Sequence, residues 1–238
     1  MDVNNATVFI TGANRGLGLA FAREALRRGA KKVYAGMRNT SGFDEPGVSP
    51  VRIDVTDPVS IAAAAEIAGD TTLLINNAGT AALIDGPLAS DFEVQSKQLF
   101  DINYYGVARV TQAFDRILSS KQHAAIINVL SDIVWLPRPY LTPYAASKAA
   151  AWSYTNQLRF HLRDRGIEVL GLHVGFVDTD LTNGIDVPKS SPQDVVRKTY
   201  DALAAGKSEV MADQGTALLK STLAADVPGY IIPPVGLI

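Results

Sequence analysis

Short apolar runs alternate with helix-like segments along most of this chain, and that alternation restricts its fold more than any other feature. Ala6 to Ile10, Lys32 to Ala35, Val51 to Ile53, Leu73 to Asn76, Ala125 to Leu130 and Val169 to His173 read as strands. Most are near-continuous apolar runs, the pattern of strands buried on both faces. Helices are expected over Gly16 to Arg28, Pro58 to Ala68, Asp91 to Leu118, Pro143 to Arg163 and Pro192 to Ala205. Gly29 stops the first, while Asp57 and Pro58 supply the cap and the first helical residue of the second. Parallel neighbours need right-handed crossovers, and those crossovers carry helices. The pattern predicts an α/β fold: a single-domain, doubly wound parallel sheet of the Rossmann type, with helices on both faces. No linker or composition break divides the 238 residues. The dinucleotide-binding part is expected over about 1–130, and the catalytic and substrate-binding part over about 131–238.

Composition removes several chemistries. The chain has no cysteine, which excludes disulfides, thiol nucleophiles, iron–sulfur clusters and cysteine-ligated zinc. His123, His161 and His173 are far apart and lack ligand spacing, so no metal is expected. A net charge of −2 offers no attraction for nucleic acid or an anionic membrane. The start, MDVNNATVFITG, lacks the features of a signal peptide, and no apolar run approaches the roughly 18 residues of a membrane span. The chain reads as cytoplasmic.

In a doubly wound sheet, ligands bind beyond the carboxyl ends of the strands. The first strand runs into Thr11-Gly12-Ala13-Asn14-Arg15-Gly16-Leu17-Gly18, a G-x-x-x-G-x-G turn that leads into a helix. Glycines permit the tight turn and a close approach by pyrophosphate, and the helix N-terminus supplies free N–H groups. Gly12, Asn14, Arg15, Gly16, Leu17 and Gly18 are therefore candidate cofactor contacts. An NAD enzyme usually carries an acidic residue at the end of the second strand. Here Gly36 and Met37 are not acidic, and Arg38 follows at once. Arg15 and Arg38 together suit a 2′-phosphate dianion, which predicts a preference for NADP(H). Asp54 and Val55, after the third strand, suit the adenine. In the Asn76-Asn77-Ala78-Gly79 run after the fourth, the small residues admit the cofactor and the asparagines can tie strand ends together.

Tyr144 and Lys148 lie four apart on an expected helix and share one face. A nearby ammonium favours phenolate, drawing a tyrosine down toward the range of useful acid/base work. Ser131, at the end of the fifth strand, can donate to a substrate oxygen beside that tyrosine. Asn103 falls inside the Asp91–Leu118 helix, where asparagine competes for backbone bonds. It can open the helix locally and hold a water that links Lys148 to solvent.

These pieces together resemble the classical short-chain dehydrogenase/reductase family. The resemblance covers nearly the whole chain: TGANRGLG, Asp54, NNAG at 76–79, Asn103, Ser131, YAASK at 144–148 and VGFVDTDL at 174–181. It implies Tyr144 as catalytic acid/base, Lys148 on the nicotinamide ribose, Ser131 orienting substrate and Asn103 supporting a proton relay. It also implies nicotinamide contacts from Gly175, Val177 and Thr179, and an NADP(H) role for Arg38. One departure is Val174, where the family commonly has proline; its backbone N–H needs a partner, so the turn is expected to differ slightly.

Substrate walls are expected from Thr80 to Leu88, Asp132 to Tyr140 and Phe176 to Val187, with Ile133, Trp135, Tyr140, Leu181 and Ile185 as the pocket. These residues point to an apolar, bulky ketone or secondary alcohol, with Arg138 the main cationic exception. The apolar tail from Gly229 to Ile238 is expected to pack on its own domain or on a partner subunit. The two long helices resemble those that pair subunits in the family, which implies a homodimer or homotetramer. The rival reading is a non-catalytic NADP(H)-binding sensor or scaffold, which need not keep both Tyr144 and Lys148. A nucleotide-sugar epimerase or dehydratase expects a different glycine spacing and a longer chain.

Overall fold

A computed structural model describes residues 1–234. Strands β1 (Thr7–Thr11), β2 (Lys32–Met37), β3 (Val48–Arg52), β4 (Leu73–Asn76), β5 (Ala124–Val129), β6 (Ile167–His173) and β7 (Glu209–Met211) form one sheet. Its order is β3-β2-β1-β4-β5-β6-β7, and every neighbouring pair is parallel. The chain reverses its direction of travel between β1 and β4, which opens a crevice at their carboxyl ends.

Alternation along the strands divides the core. Val8 and Ile10 of β1 face one layer, with Phe21 of α1 (Gly16–Arg27) and Tyr200 of α6 (Pro192–Ala204). Phe9 faces the other, with Phe114 and Leu162. These belong to α4 (Val107–Ser119) and α5 (Thr142–Leu162), which join α2 (Pro58–Ile67) on that face. This is the doubly wound, single-domain arrangement expected from the apolar runs. Asp57 caps α2 as anticipated, accepting from Val59 N at 2.9 Å, with Pro58 in the first turn.

Three differences have physical causes. β3 starts at Val48 rather than Val51 and runs through Ser49 and Pro50; as an edge strand it tolerates a proline that a central strand would not. The span Asp91–Leu118 is not one α-helix. It comprises α3 (Phe92–Phe100), a π-helical turn at Asp101–Gly106, and α4. Beyond α6, β7 and α7 (Gln214–Ser221) were not anticipated: three strand residues are too few for a periodicity to register.

Among the described residues no helix is long and apolar enough to cross a membrane. The start of the tail meets its own domain only in part. Gly229 is buried and donates to Thr222 Oγ1 at 3.1 Å, but Tyr230, Ile231 and Ile232 are exposed. Residues 235–238 of that tail lie outside the described residues.

Candidate active site

The glycine turn is closed by the neighbouring strand end. Asn77 Nδ2 donates to the carbonyls of Thr11 at 2.9 Å and Gly12 at 3.1 Å, while Thr11 Oγ1 accepts from the N–H groups of Asn77 and Ala78, both at 3.0 Å. Gly12 has φ +66°, in the region that favours glycine. A Cβ on Gly18 would stand 2.2 Å from the Gly12 carbonyl oxygen and 2.6 Å from Asn77 Nδ2. Below this, Asn76 bonds Thr111 at 3.0 Å and Asn128 at 2.8 Å, tying β4 to β5 and α4. The expected joining of strand ends by the asparagine pair is present in detail.

The fit to a dinucleotide follows from what the turn leaves unpaired. No side chain caps α1, and its N-terminus opens at the glycine turn beside Gly16. Free N–H groups at the positive end of a helix suit phosphate. Arg38 is exposed at the end of β2, and its charge reaches Asp54. Asp54 also accepts from the N–H and hydroxyl of Thr56, and these bonds hold its carboxyl below the ordinary value. Val55 packs against Gly106, where an added Cβ would lie 2.9 Å from Val55 Cγ2. The Arg15 guanidinium pairs with Asp180, 2.9 Å away. Both partners are largely exposed, so this contact is weak.

Beyond β6, the turn at Val174 is held without proline. Val174 O accepts from Asp132 N at 3.1 Å, and Gly175 N donates to Asp213 Oδ2 at 2.9 Å. Asp213 also caps α7 through Thr216 N at 2.8 Å. It thereby fastens the last helix to the turn beyond β6. Thr179 lies beside Gly16, and Val177 is buried and bridges to Ser190.

The candidate catalytic residues converge at the ends of β4, β5 and β6. Ser131 is buried at the end of β5 in extended backbone and opens a 3₁₀ turn, accepting from Ile133 N at 3.2 Å. Its carbonyl faces His173 Nδ1 at 3.3 Å. Tyr144 and Lys148 sit in the first turns of α5, with Lys148 Nζ 5.9 Å from the Tyr144 ring centroid. That ammonium donates to Val129 O at 2.8 Å, and burial pushes Lys148 down to about 8. Tyr144 differs from the expectation. Burial pushes its hydroxyl up to about 12, with a hydrogen bond shared with Ser131 pulling the other way and Asp132 and Arg138 adding opposed contributions. Desolvation outweighs the Ser131 hydrogen bond and the Arg138 charge, the two influences that pull the hydroxyl down.

Asn103 is fully buried inside the π-helical turn, so the helix does open where an asparagine was expected to disturb it. Its Oδ1 accepts from Thr80 N at 3.0 Å, and its Nδ2 donates to Thr80 O at 2.9 Å and Ser147 Oγ at 3.0 Å. A Cβ on Gly79 would lie 3.2 Å from Asn103 Oδ1 and 3.5 Å from Lys148 Nζ, which shows how closely these groups gather. Ser147 was not singled out from sequence; its place inside YAASK was the available signal.

The expected pocket wall is only partly there. Tyr140 and Leu181 are exposed, Ile185 is half-buried, and Ile133 is buried behind Ser131. Trp135 turns away from the cleft. It stacks on His173 at 4.2 Å, meets Trp152 edge-on at 5.7 Å, and packs with Leu136 and Leu219. The 3₁₀ turn aims it inward, so it is a core residue rather than a wall. Beneath this cluster Glu209 faces His173 Nε2 at 3.5 Å and accepts from Lys220 Nζ at 3.1 Å. These neighbours hold the Glu209 carboxyl down at about 2.

Residues 6–189 match the family model described as short chain dehydrogenase. A short chain dehydrogenase from Burkholderia cenocepacia J2315, crystallised in complex with NADP, is 36% identical and superposes with a TM-score of 0.89 over 95% of each chain. A short chain dehydrogenase/reductase from Burkholderia phymatum in complex with NAD is 25% identical, with a TM-score of 0.78, covering 93% of this chain and 92% of that one. The oxidoreductase DltE of Bacillus subtilis (strain 168), described as uncharacterized, is 29% identical over 94% of both chains.

Proposed function

The chain belongs to the short chain dehydrogenase family of oxidoreductases, and from that premise we propose that it is an NADP(H)-dependent carbonyl reductase acting on apolar, bulky ketones and the matching secondary alcohols. The observation that carries this reading is the meeting of Tyr144 and Ser131 hydroxyls, with Lys148 and Asn103 gathered behind them. When bound, NADPH supplies the hydride that the carbonyl carbon takes up. Tyr144 gives its hydroxyl proton to the carbonyl oxygen, and Ser131 donates a hydrogen bond to that same oxygen. A tyrosine held up at about 12 keeps its proton at neutral pH, as an acid must. Lys148, held at about 8, still carries charge there and stabilises the phenolate left behind. Asn103 braces this group by joining the π-helical turn to Thr80 and Ser147.

The cofactor preference rests on Arg38 and Arg15, on the non-acidic Gly36 and Met37, and on the similarity to a relative crystallised with NADP. An apolar substrate is favoured by Leu83, Tyr140, Leu181 and Val187, all exposed on the segments expected to flank the cleft. A homodimer or homotetramer working in the cytosol, and a division near residue 130 between cofactor and substrate parts, belong to the same proposal.

An aryl ketone panel with NADPH or NADH tests it. The wild type should reduce apolar ketones with a higher kcat/KM for NADPH, and Tyr144→Phe should lose about a thousandfold in kcat. Activity retained by Tyr144→Phe would overturn the mechanism. NADPH binding without turnover by the wild type on any substrate would favour the sensor reading.

A further inference from the structure

Ser131 has a neighbour that the reading above leaves without a role. Asp132 is buried directly after it, and Ser131 Oγ donates to Asp132 Oδ1 at 3.1 Å. A hydroxyl has one hydrogen to give. Ile133 N donates to Ser131 Oγ at 3.2 Å, so both the proton and one lone pair of Ser131 are committed to its own 3₁₀ turn. The Asp132 carboxylate is gripped in turn by Arg138, through NH1 at 3.3 Å to Oδ1 and NH2 at 3.1 Å to Oδ2. Both side chains are more than nine-tenths buried, and the guanidinium lies over Phe176 at 5.0 Å. The backbone of Asp132 donates to Val174 O, joining the serine turn to the turn beyond β6.

A buried ion pair is a poor way to add stability, because apolar residues of similar size commonly do as well. One built against the hydroxyl that faces the reaction calls for another explanation. We propose that Asp132 is a positioning residue for the reaction: its carboxylate, countered by Arg138, fixes the Ser131 hydroxyl and sets the local charge felt by Tyr144. A bound carbonyl oxygen takes that hydrogen over from Asp132, while the Ile133 N–H bond and the neighbouring carboxylate keep the Ser131 oxygen in place. The inference rests on the carbonyl-reductase reading and names how its serine and tyrosine are prepared.

Among the described residues, other charged and titratable groups also face this corner. Tyr144 and Lys148 face it from α5, and His173 meets the Ser131 carbonyl from β6. Asp213 approaches from the start of α7: a Cβ on Gly175 would lie 3.5 Å from Asp132 Oδ2 and 3.7 Å from Asp213 Oδ2. Gly175 N, Thr216 N and Thr216 Oγ1 all donate to Asp213. Asp132 raises Tyr144 and Arg138 lowers it, so removing either charge moves Tyr144 in opposite directions.

The test uses Asp132→Asn, which keeps the shape and one acceptor oxygen, and Arg138→Met, which keeps the stem over Phe176. Asp132→Asn should lower kcat about tenfold, since a charged hydrogen-bond partner is lost, with KM for NADPH changed less than about twofold. The pH profile supplies the readout that a merely structural role would not move. Alcohol oxidation needs ionised Tyr144 and rises with pH; its limb should shift to lower pH in Asp132→Asn and to higher pH in Arg138→Met. An unchanged kcat with an unmoved limb, or shifts of the same sign, would overturn the proposal. Ultraviolet difference titration of phenolate, each protein read against its own Tyr144→Phe version, reports on Tyr144 without any substrate. Opposite shifts there, with no ketone reduced, sink the reductase reading and leave the positioning intact.

Discussion

The two ends of the cleft are made of different material. Where β1 and β4 end, the wall is backbone: glycines, an uncapped helix N-terminus and carbonyls bridged by Asn77. Where β5 and β6 end, it is side chains: Ser131, Asp132, Arg138, Lys148 and the His173 cluster, all buried. The first end obtains its chemistry from geometry and tolerates no added atom. The second obtains it from desolvation, which moves Tyr144 up and Lys148 down. Arg15 and Arg38, the charges proposed to select the cofactor, stand exposed outside both.

Substitutions can break that contrast, and the largest effect belongs to the backbone end. Gly18→Ala puts a methyl 2.2 Å from the Gly12 carbonyl oxygen, against backbone that has no room to yield. A loss of about 3 kcal/mol in urea unfolding is expected, together with loss of measurable NADPH binding. Normal stability and affinity in this variant would show the turn to be softer than its packing implies. The side-chain end should answer to pH instead. Glu209 sits at about 2 in the folded protein against an ordinary 4.5, mainly through its bond to His173. A depressed carboxyl contributes stability above its unfolded value and loses it as pH falls through the folded one. Glu209→Gln should therefore cost about 2 kcal/mol at neutral pH, and the gap to wild type should close as pH drops below about 4.5. A gap that persists unchanged at low pH would remove the charge from the account. The smallest effect belongs to the exposed arginines. Arg38→Ala should cut the NADPH-to-NADH ratio of kcat/KM about tenfold, about 1.4 kcal/mol, and less so in high salt.

The same contrast explains what was legible in advance. The glycine turn and the Tyr144–Lys148 spacing are local patterns, complete within eight residues or one helical turn, and the structure puts them where they were expected. The doubly wound parallel sheet followed from the apolar runs, because strands buried on both faces need helical crossovers. The side-chain end was only half readable. Asp132 and Asp213 matter through contacts with Ser131, Val174 and Gly175, the last of these 38 residues from Asp213 in sequence. Trp135 looked like a pocket wall because its sequence position is right, yet a three-residue turn decides which way it points. The direction of Tyr144 was misjudged for a related reason: residue spacing reveals a neighbouring charge, whereas the depth of burial emerges only from the packed fold.

The π-helical turn at Asp101–Gly106 does more than mount one carboxamide. Leu99 and Leu118 are nineteen residues apart, and both are buried. In an uninterrupted α-helix that separation leaves two side chains roughly 100° out of phase around the axis. The wide turn absorbs one residue and cancels the error, so Leu99, Asn103, Val107, Val110, Phe114 and Leu118 all stay on the inner side. The span behaves as two helices joined in phase by a single extra residue. Deleting one residue from the turn would let the span close as a regular α-helix with Leu99 and Leu118 still in phase, whereas holding the full-length span in α geometry would rotate everything upstream of Asn103 by that angle and carry Leu99 away from the interior.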